Sequence, residues 1–114
     1  FDRSQHGGKI RLHIGSALEI APTLGERYDL VFMDGDKREY TAYYNMLMDN
    51  GLVGSGSFIL ADNILWYGKV VEPVAKGDKQ TQAIVDFNRM IREDERVENV
   101  IIPIRDGINL IRVK

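Results

Sequence analysis

The chain has 114 residues, 44% of them hydrophobic and 28% charged, enough apolar material for one packed domain and too much for a disordered segment. Asp and Glu number 17 against 15 Lys and Arg, a formal net charge of −2, which argues against a general phosphate-backbone binder while leaving room for one local basic patch. Cysteine is absent, which excludes disulfides, thiolate metal sites and a cysteine nucleophile; no apolar run approaches the ~20 residues of a membrane span and no signal peptide is visible, so the expected location is the cytoplasm.

Residues 10–15, "IRLHIG", are short and β-rich and predict a first strand. They run into Ser16-Ala17-Leu18-Glu19, a Ser-x-x-Glu capping box that predicts a short helix carrying Pro22 and stopping near Gly25. "YDLVFMD" (28–34) is a near-continuous apolar run, the pattern of a parallel strand buried on both faces. Tyr40, Tyr43, Tyr44, Leu47 and Met48 then follow at helical spacing, with Asn50-Gly51 as the stop. "GSFILADN" (56–63) predicts a second buried strand, followed by a loop of about seventeen residues from Ile64 to Gln80. Residues 81–94 place Ile84, Phe87 and Ile91 on one helical face, and "VENVIIPI" and "INLIRVK" flank Arg105-Asp106-Gly107, a short Asp-Gly turn suited to a hairpin. This alternation predicts an α/β domain, a mostly parallel sheet with helices on both faces and a closing antiparallel hairpin.

Ligands of such sheets sit at the carboxyl ends of the strands. There the chain carries Asp34-Gly35-Asp36-Lys37 after one core strand and Asp62-Asn63 after the next. Asp34, Asp62 and Asn63 are hard oxygen donors suited to Mg²⁺ or another divalent cation, although either cluster alone reads equally well as a turn or cap. Lys37 is either a solvated lysine opening a helix or, beside a cation, a base. Trp66 and Tyr67 open the long loop, as a hydrophobic anchor or as a binding wall. His6 and His13 are isolated, and the tyrosines at 40–44 read as helix packing.

Three separated stretches, "YDLVFMDGDKREYTAYY", "ILADNILWYGKVVEP" and "VIIPIRDGINLIRVK", resemble in order, spacing and chemistry the cation-dependent O-methyltransferases of the caffeoyl-CoA and catechol type. The resemblance covers essentially the whole chain. It implies a Rossmann-like sheet that binds S-adenosylmethionine, with Asp34, Asp62 and Asn63 as metal ligands and Lys37 as general base. It also implies that Ser16 and Ala17 hold the adenine, that Asp34 and Asp36 contact the methyl donor, and that Trp66 and Tyr67 border the acceptor. Where the catechol enzymes carry a glutamate before the final hairpin, this chain has Val100.

The family's first strand, its Gly-rich turn and its ribose-binding acid would precede residue 1, so residues 1–114 are expected to be the C-terminal part of a single methyltransferase domain, inactive alone. The expected acceptor is a small hydroxylated aromatic, with a tRNA hydroxyuridine as the alternative; a homodimer and no membrane partner are expected. Two other classes compete. One is a Mg²⁺-dependent aspartate-nucleophile phosphatase, which shares Asp-x-Asp after an apolar strand but has Thr or Val where Arg38 stands here. The other is a non-catalytic interaction module.

Overall fold

The computed structural model describes residues 2–114. Its four strands are β1 (Leu30–Met33), β2 (Phe58–Asp62), β3 (Val97–Ile102) and β4 (Ile108–Val113), and its helices are α1 (Ala17–Ile20), α2 (Tyr40–Asp49) and α3 (Lys79–Glu93). They form one sheet in the order β1-β2-β4-β3. β1 and β2 are parallel, whereas β4 is antiparallel to both β2 and β3. Three strands therefore run one way and the hairpin return runs against them, the mixed sheet expected from the sequence.

Each helix forms for a local reason. A 3-10 turn at Lys37–Glu39 leads into α2, and Asp36 caps that turn by accepting from Arg38 N. Asp78 caps α3 by accepting from Thr81 N and Thr81 Oγ1 (3.2 and 2.7 Å), satisfying donors the first turn leaves free. Tyr40, Tyr44 and Leu47 of α2 and Phe87 and Ile91 of α3 then enter one core with Met33, Ile59, Ala61 and Ile111 of the sheet. Burying side chains of this size contributes roughly 1.5–3 kcal/mol each, so this layer is what holds the strand ends in place.

The helices lie on one face of the sheet, not on both. Strand register puts Met33, Ile59, Ala61, Asn109 and Ile111 on the covered face. Leu30, Phe32, Phe58 and Val100 point to the other face and are 60%, 58%, 37% and 56% exposed. β1 is therefore not buried on both faces as its apolar run predicts. The reason is topological: two crossovers, β1–α2–β2 and β2–α3–β3, advance in the same direction across the sheet, and a common right-handedness lays both helices on the same side.

The N-terminal segment departs further. Residues 10–15 form no strand, and Leu12 and Ile14 are largely exposed. Among the described residues no strand lies beside the segment to complete a ladder, and a strand without a partner gains nothing from its β-rich composition. The segment lies beside residues 24–28 instead, where Arg11 Nη1 donates to Glu26 Oε1 (3.3 Å). Helix α1 starts after Ser16, but the Ser16 side chain makes no capping bond. Its carbonyl accepts from Glu19 N and Ile20 N instead. Among the described residues no helix is long and apolar enough to cross a membrane.

Candidate active site

Continuing the β1–β2 register beyond Met33↔Ala61 sets Asp34 beside Asp62, on neighbouring strands about 4.8 Å apart. Lys37 lies beneath this pair. Its Nζ donates to Asp34 Oδ1 (3.0 Å) and to Tyr40 Oη (2.7 Å), and the residue is 8% exposed. A lysine this buried is retained only when paired, so Lys37 is not the solvated helix-opening lysine that sequence allows. The Asp34 carboxylate, by contrast, is half exposed.

Tyr40 was legible as a packing residue, and it does pack: it is fully buried, edge-on to Phe87 with ring centroids 5.4 Å apart. It also joins the site, which the helical period did not indicate. Its hydroxyl is shared between the carbonyls of Met33 (3.0 Å) and Asp62 (2.9 Å) while accepting from Lys37. One phenol thus ties the ends of β1 and β2 together. Burial first, then the nearby charges of Asp34 and Asp62, push its ionisation far above that of an ordinary tyrosine, so it stays a neutral hydrogen-bonding post. The Lys37-x-x-Tyr40 spacing, which aligns two side chains on one helical face, is the signal that could have revealed it.

Asp36 sits apart from this corner. Its carboxylate accepts from Arg38 N, Nε and Nη2 (3.0, 3.2 and 2.9 Å), and those bonds from Arg38 hold its pKa below the ordinary carboxylate value. Gly35, between the two aspartates, is required by packing: a Cβ there would lie 2.9 Å from Tyr43 Cε2 and Oη. Asp34 and Gly35 line a cleft of about 230 Å³ with Ala17, Ala21, Val31, Met33 and Tyr43 among its walls. The structure therefore brings Ala17 to Asp34. Ser16 is exposed and does not line that cleft.

On the β2 side the backbone is unusual. Asn63, Trp66 and Tyr67 have φ of 60°, 47° and 57°, a left-handed conformation that asparagine tolerates and bulky residues adopt only under constraint. Trp66 is half-buried and Tyr67 is exposed, with ring centroids 5.4 Å apart. The constraint comes from the β3–β4 connection, where Asp106 accepts from Tyr67 N (2.7 Å) and Asn63 Nδ2 (3.4 Å). Asp106, which in the sequence reads as a turn residue, thus reaches the candidate site. The connection spans residues 103–107 with positive φ at Arg105 and Gly107, longer than a two-residue Asp-Gly turn. Val100, in the middle of β3 on the bare face, takes no part in the site.

Among the described residues no group of three His, Cys, Asp or Glu side chains comes together to hold a metal ion. The donor set suited to a hard cation is two carboxylates and an amide. Lys37 takes one oxygen of Asp34, Asn63 N takes Asp62 Oδ1 (2.8 Å), and Asp106 takes the Asn63 amide nitrogen. One oxygen of each of the three residues is left for a ligand, which fits a cation that keeps part of its water shell.

The sheet edge thus carries carboxylates beside an apolar cleft and an aromatic loop, and comparison with known proteins shows the family. The family profile described as O-methyltransferase matches residues 1–114, and the chain belongs to that family. It is 41% identical over 115 residues to caffeoyl-CoA O-methyltransferase 2 of Eucalyptus globulus, covering 91% of this chain and 46% of the relative. Among solved structures, the S-adenosylhomocysteine-bound methyltransferase PaMTH1 of Podospora anserina superposes with a TM-score of 0.77 at 29% identity, over 88% of this chain and 47% of that one. TomG of Streptomyces achromogenes, an O-methyltransferase of tomaymycin synthesis solved with S-adenosylmethionine, gives 0.79 at 28% identity over 90% and 48%. The chain spans about half the length of the curated relatives it matches.

Proposed function

We propose that this chain forms the acceptor side of an S-adenosylmethionine-dependent O-methyltransferase that methylates a hydroxyl of a small catechol-like aromatic. The observation that carries the reading is that Asp34 and Asp62 each follow directly on the paired Met33 and Ala61 of adjacent strands, with Lys37 Nζ 3.0 Å from Asp34. Asp34, Asp62 and Asn63 are the ligands in this proposal. A divalent cation bound there, Mg²⁺ or another, would stabilise the oxyanion of the acceptor hydroxyl. Lys37 in its neutral amine form, or water beside it, takes the hydroxyl proton. The cleft lined by Ala17, Asp34 and Gly35 holds the methyl donor, which would have to reach beyond the cleft to contact Ser16 and Asp36, and Trp66 and Tyr67 wall the acceptor. Most of the acceleration comes from holding the two reactants in line. The proposal includes a homodimer, and sedimentation as a monomer would count against that part.

The test is turnover of a vicinal-diol phenol by the parent enzyme with Mg²⁺ and with excess EDTA, tRNA serving as the competing acceptor. Turnover is expected only with Mg²⁺ and the phenol. Equal rates in EDTA would remove the metal from the mechanism, and methylation of tRNA alone would replace the acceptor. Asp62→Ala should lower activity by more than the roughly 10–100-fold typical of second-shell changes.

A further inference from the structure

The connection between β3 and β4 holds the loop after β2 through both backbone and side chain. Ile64 N donates to Gly107 O (3.2 Å) and Leu65 N to Asp106 O (2.9 Å). Gly107 has no room for a side chain, since a Cβ would meet Leu65 Cγ at 2.6 Å. Above this seam the Asp106 carboxylate receives Tyr67 N on Oδ1 and Asn63 Nδ2 on Oδ2.

A carboxylate only accepts hydrogen bonds, whereas an amide has one donor end and one acceptor end. The contact with Asp106 therefore admits a single orientation of Asn63: the NH₂ faces Asp106 and the carbonyl oxygen faces away. That distinction decides whether Asn63 can ligate, because a hard cation takes the amide oxygen and is repelled by the NH₂. The other oxygen of Asp106 fixes Tyr67, one of two bulky residues with positive φ in the loop. A single carboxylate thus sets both the polarity of one proposed ligand and the position of the aromatic wall.

We propose that Asp106 is a positioning residue that keeps the Asn63 oxygen presented to a divalent cation and holds the Trp66–Tyr67 loop against the site. The inference rests on the metal-dependent reading above. In Asp106→Asn, the substituted amide keeps its oxygen for Tyr67 N and offers its NH₂ to Asn63. Asn63 must then turn its own oxygen toward position 106, presenting NH₂ to the cation. Adding Asn63→Asp supplies a carboxylate that accepts from position 106 and still has an oxygen to spare.

Mn²⁺ and S-adenosylmethionine are titrated calorimetrically into the parent enzyme as wild type, Asp106→Asn and Asn63→Asp/Asp106→Asn. The expected result is a roughly 10–100-fold loss of Mn²⁺ affinity in the single variant, unchanged donor affinity, and recovery of Mn²⁺ binding in the double variant. Wild-type Mn²⁺ affinity in Asp106→Asn overturns the inference while leaving the metal reading standing. Parallel loss of Mn²⁺ and donor binding without recovery makes Asp106 a structural residue only and equally overturns it. A wild-type enzyme that binds no Mn²⁺ removes the metal reading and the inference together.

Discussion

The two sides of the Asp34–Asp62 pair are held by opposite means. On the β1 side, Lys37 and Tyr40 are buried inside the helix layer, their polar atoms satisfied by one another and by two strand-end carbonyls. On the β2 side, residues 63–68 have left-handed backbone at Asn63, Trp66, Tyr67 and Gly68; Ile64 anchors the segment in the core, and the β3–β4 connection restrains it. Burial fixes the first side at the expense of any tolerance to change. One buried anchor, Ile64, and a few hydrogen bonds fix the second, which leaves the exposed Tyr67 side chain free to vary. In the proposed mechanism the Lys37 corner carries the chemistry and the loop selects the acceptor, and substitutions can separate the two.

Tyr40→Phe should have the largest effect. It keeps the ring packed on Phe87 but removes a hydroxyl that serves the Lys37 ammonium and the carbonyls of Met33 and Asp62. Leaving a buried polar group unpaired costs about 1–3 kcal/mol, more for a charged one, so a loss of about 3 kcal/mol in denaturant unfolding of the parent enzyme is expected. A loss under about 0.5 kcal/mol, the range of an ordinary surface change, would show that the corner is not held by its phenol. Gly107→Ala comes next and strikes the other side. Its Cβ would collide with Leu65 at a residue whose φ is 83°, and overpacking of this kind costs about 1–3 kcal/mol. The seam should open, raising the acceptor KM while donor affinity holds. Equal weakening of donor and acceptor would mean that the two sides are one mechanical unit.

A control for both is Asp94, which ties α2 to the α3–β3 connection by accepting from Tyr44 Oη (2.7 Å) and from Arg96 Nε and Nη2 (3.0 and 2.8 Å). Arg96 first, and Tyr44 after it, hold the Asp94 carboxyl well below the usual carboxylate range against the opposing effect of burial. A depressed folded pKa contributes stability above the unfolded value, near 4. That contribution drains away as pH falls from there toward the folded pKa, because the unfolded chain binds the proton first. Asp94→Asn should therefore destabilise the enzyme at pH 7 and flatten its acid limb. Near pH 3 the gap from wild type should narrow, as urea unfolding at the two pH values would measure. The staple lies outside both sides of the site, so Mn²⁺ and donor affinities should stay put; a gap that widens in acid would reverse the assigned sign.

Much of the architecture was written in local pattern. The apolar runs at 30–33 and 58–62, the helical spacing of Tyr40, Tyr44 and Leu47, and the hairpin around Gly107 each specify an element, and their order specifies the sheet. What local pattern could not supply was partnership. Residues 10–15 are as β-rich as β4, yet β4 lies between two strands while among the described residues no strand lies beside 10–15, so one is a central strand and the other forms none. The apolar runs of β1 and β2 likewise could not tell which faces the helices would cover. In the candidate site, Asp34, Lys37, Asp62 and Asn63 stand out in the sequence because polar residues end two apolar strands. Tyr40 and Asp106 do not, because a tyrosine on a helix face and an Asp-Gly pair have ordinary structural explanations. Only the fold shows that the phenol reaches two strand ends and that the carboxylate reaches across 43 residues to Asn63.

The smallest effect on stability should come from Tyr67→Gly, which tests whether the loop selects the acceptor. Tyr67 is 80% exposed with φ 57°, so its ring adds little to the core while its backbone stores roughly 1–2 kcal/mol of left-handed strain. Glycine relieves that strain but gives up roughly 0.5–1 kcal/mol in chain entropy, leaving stability within about 1 kcal/mol of wild type. Its backbone N–H still reaches Asp106, so the Asn63 restraint survives. The ring is what disappears, and with it one face of the proposed acceptor wall. An acceptor KM that rises while Mn²⁺ affinity, donor affinity and stability hold would assign recognition to the side chain and restraint to the backbone. An unchanged KM would take Tyr67 out of the acceptor site and leave Trp66, its half-buried neighbour, as the wall.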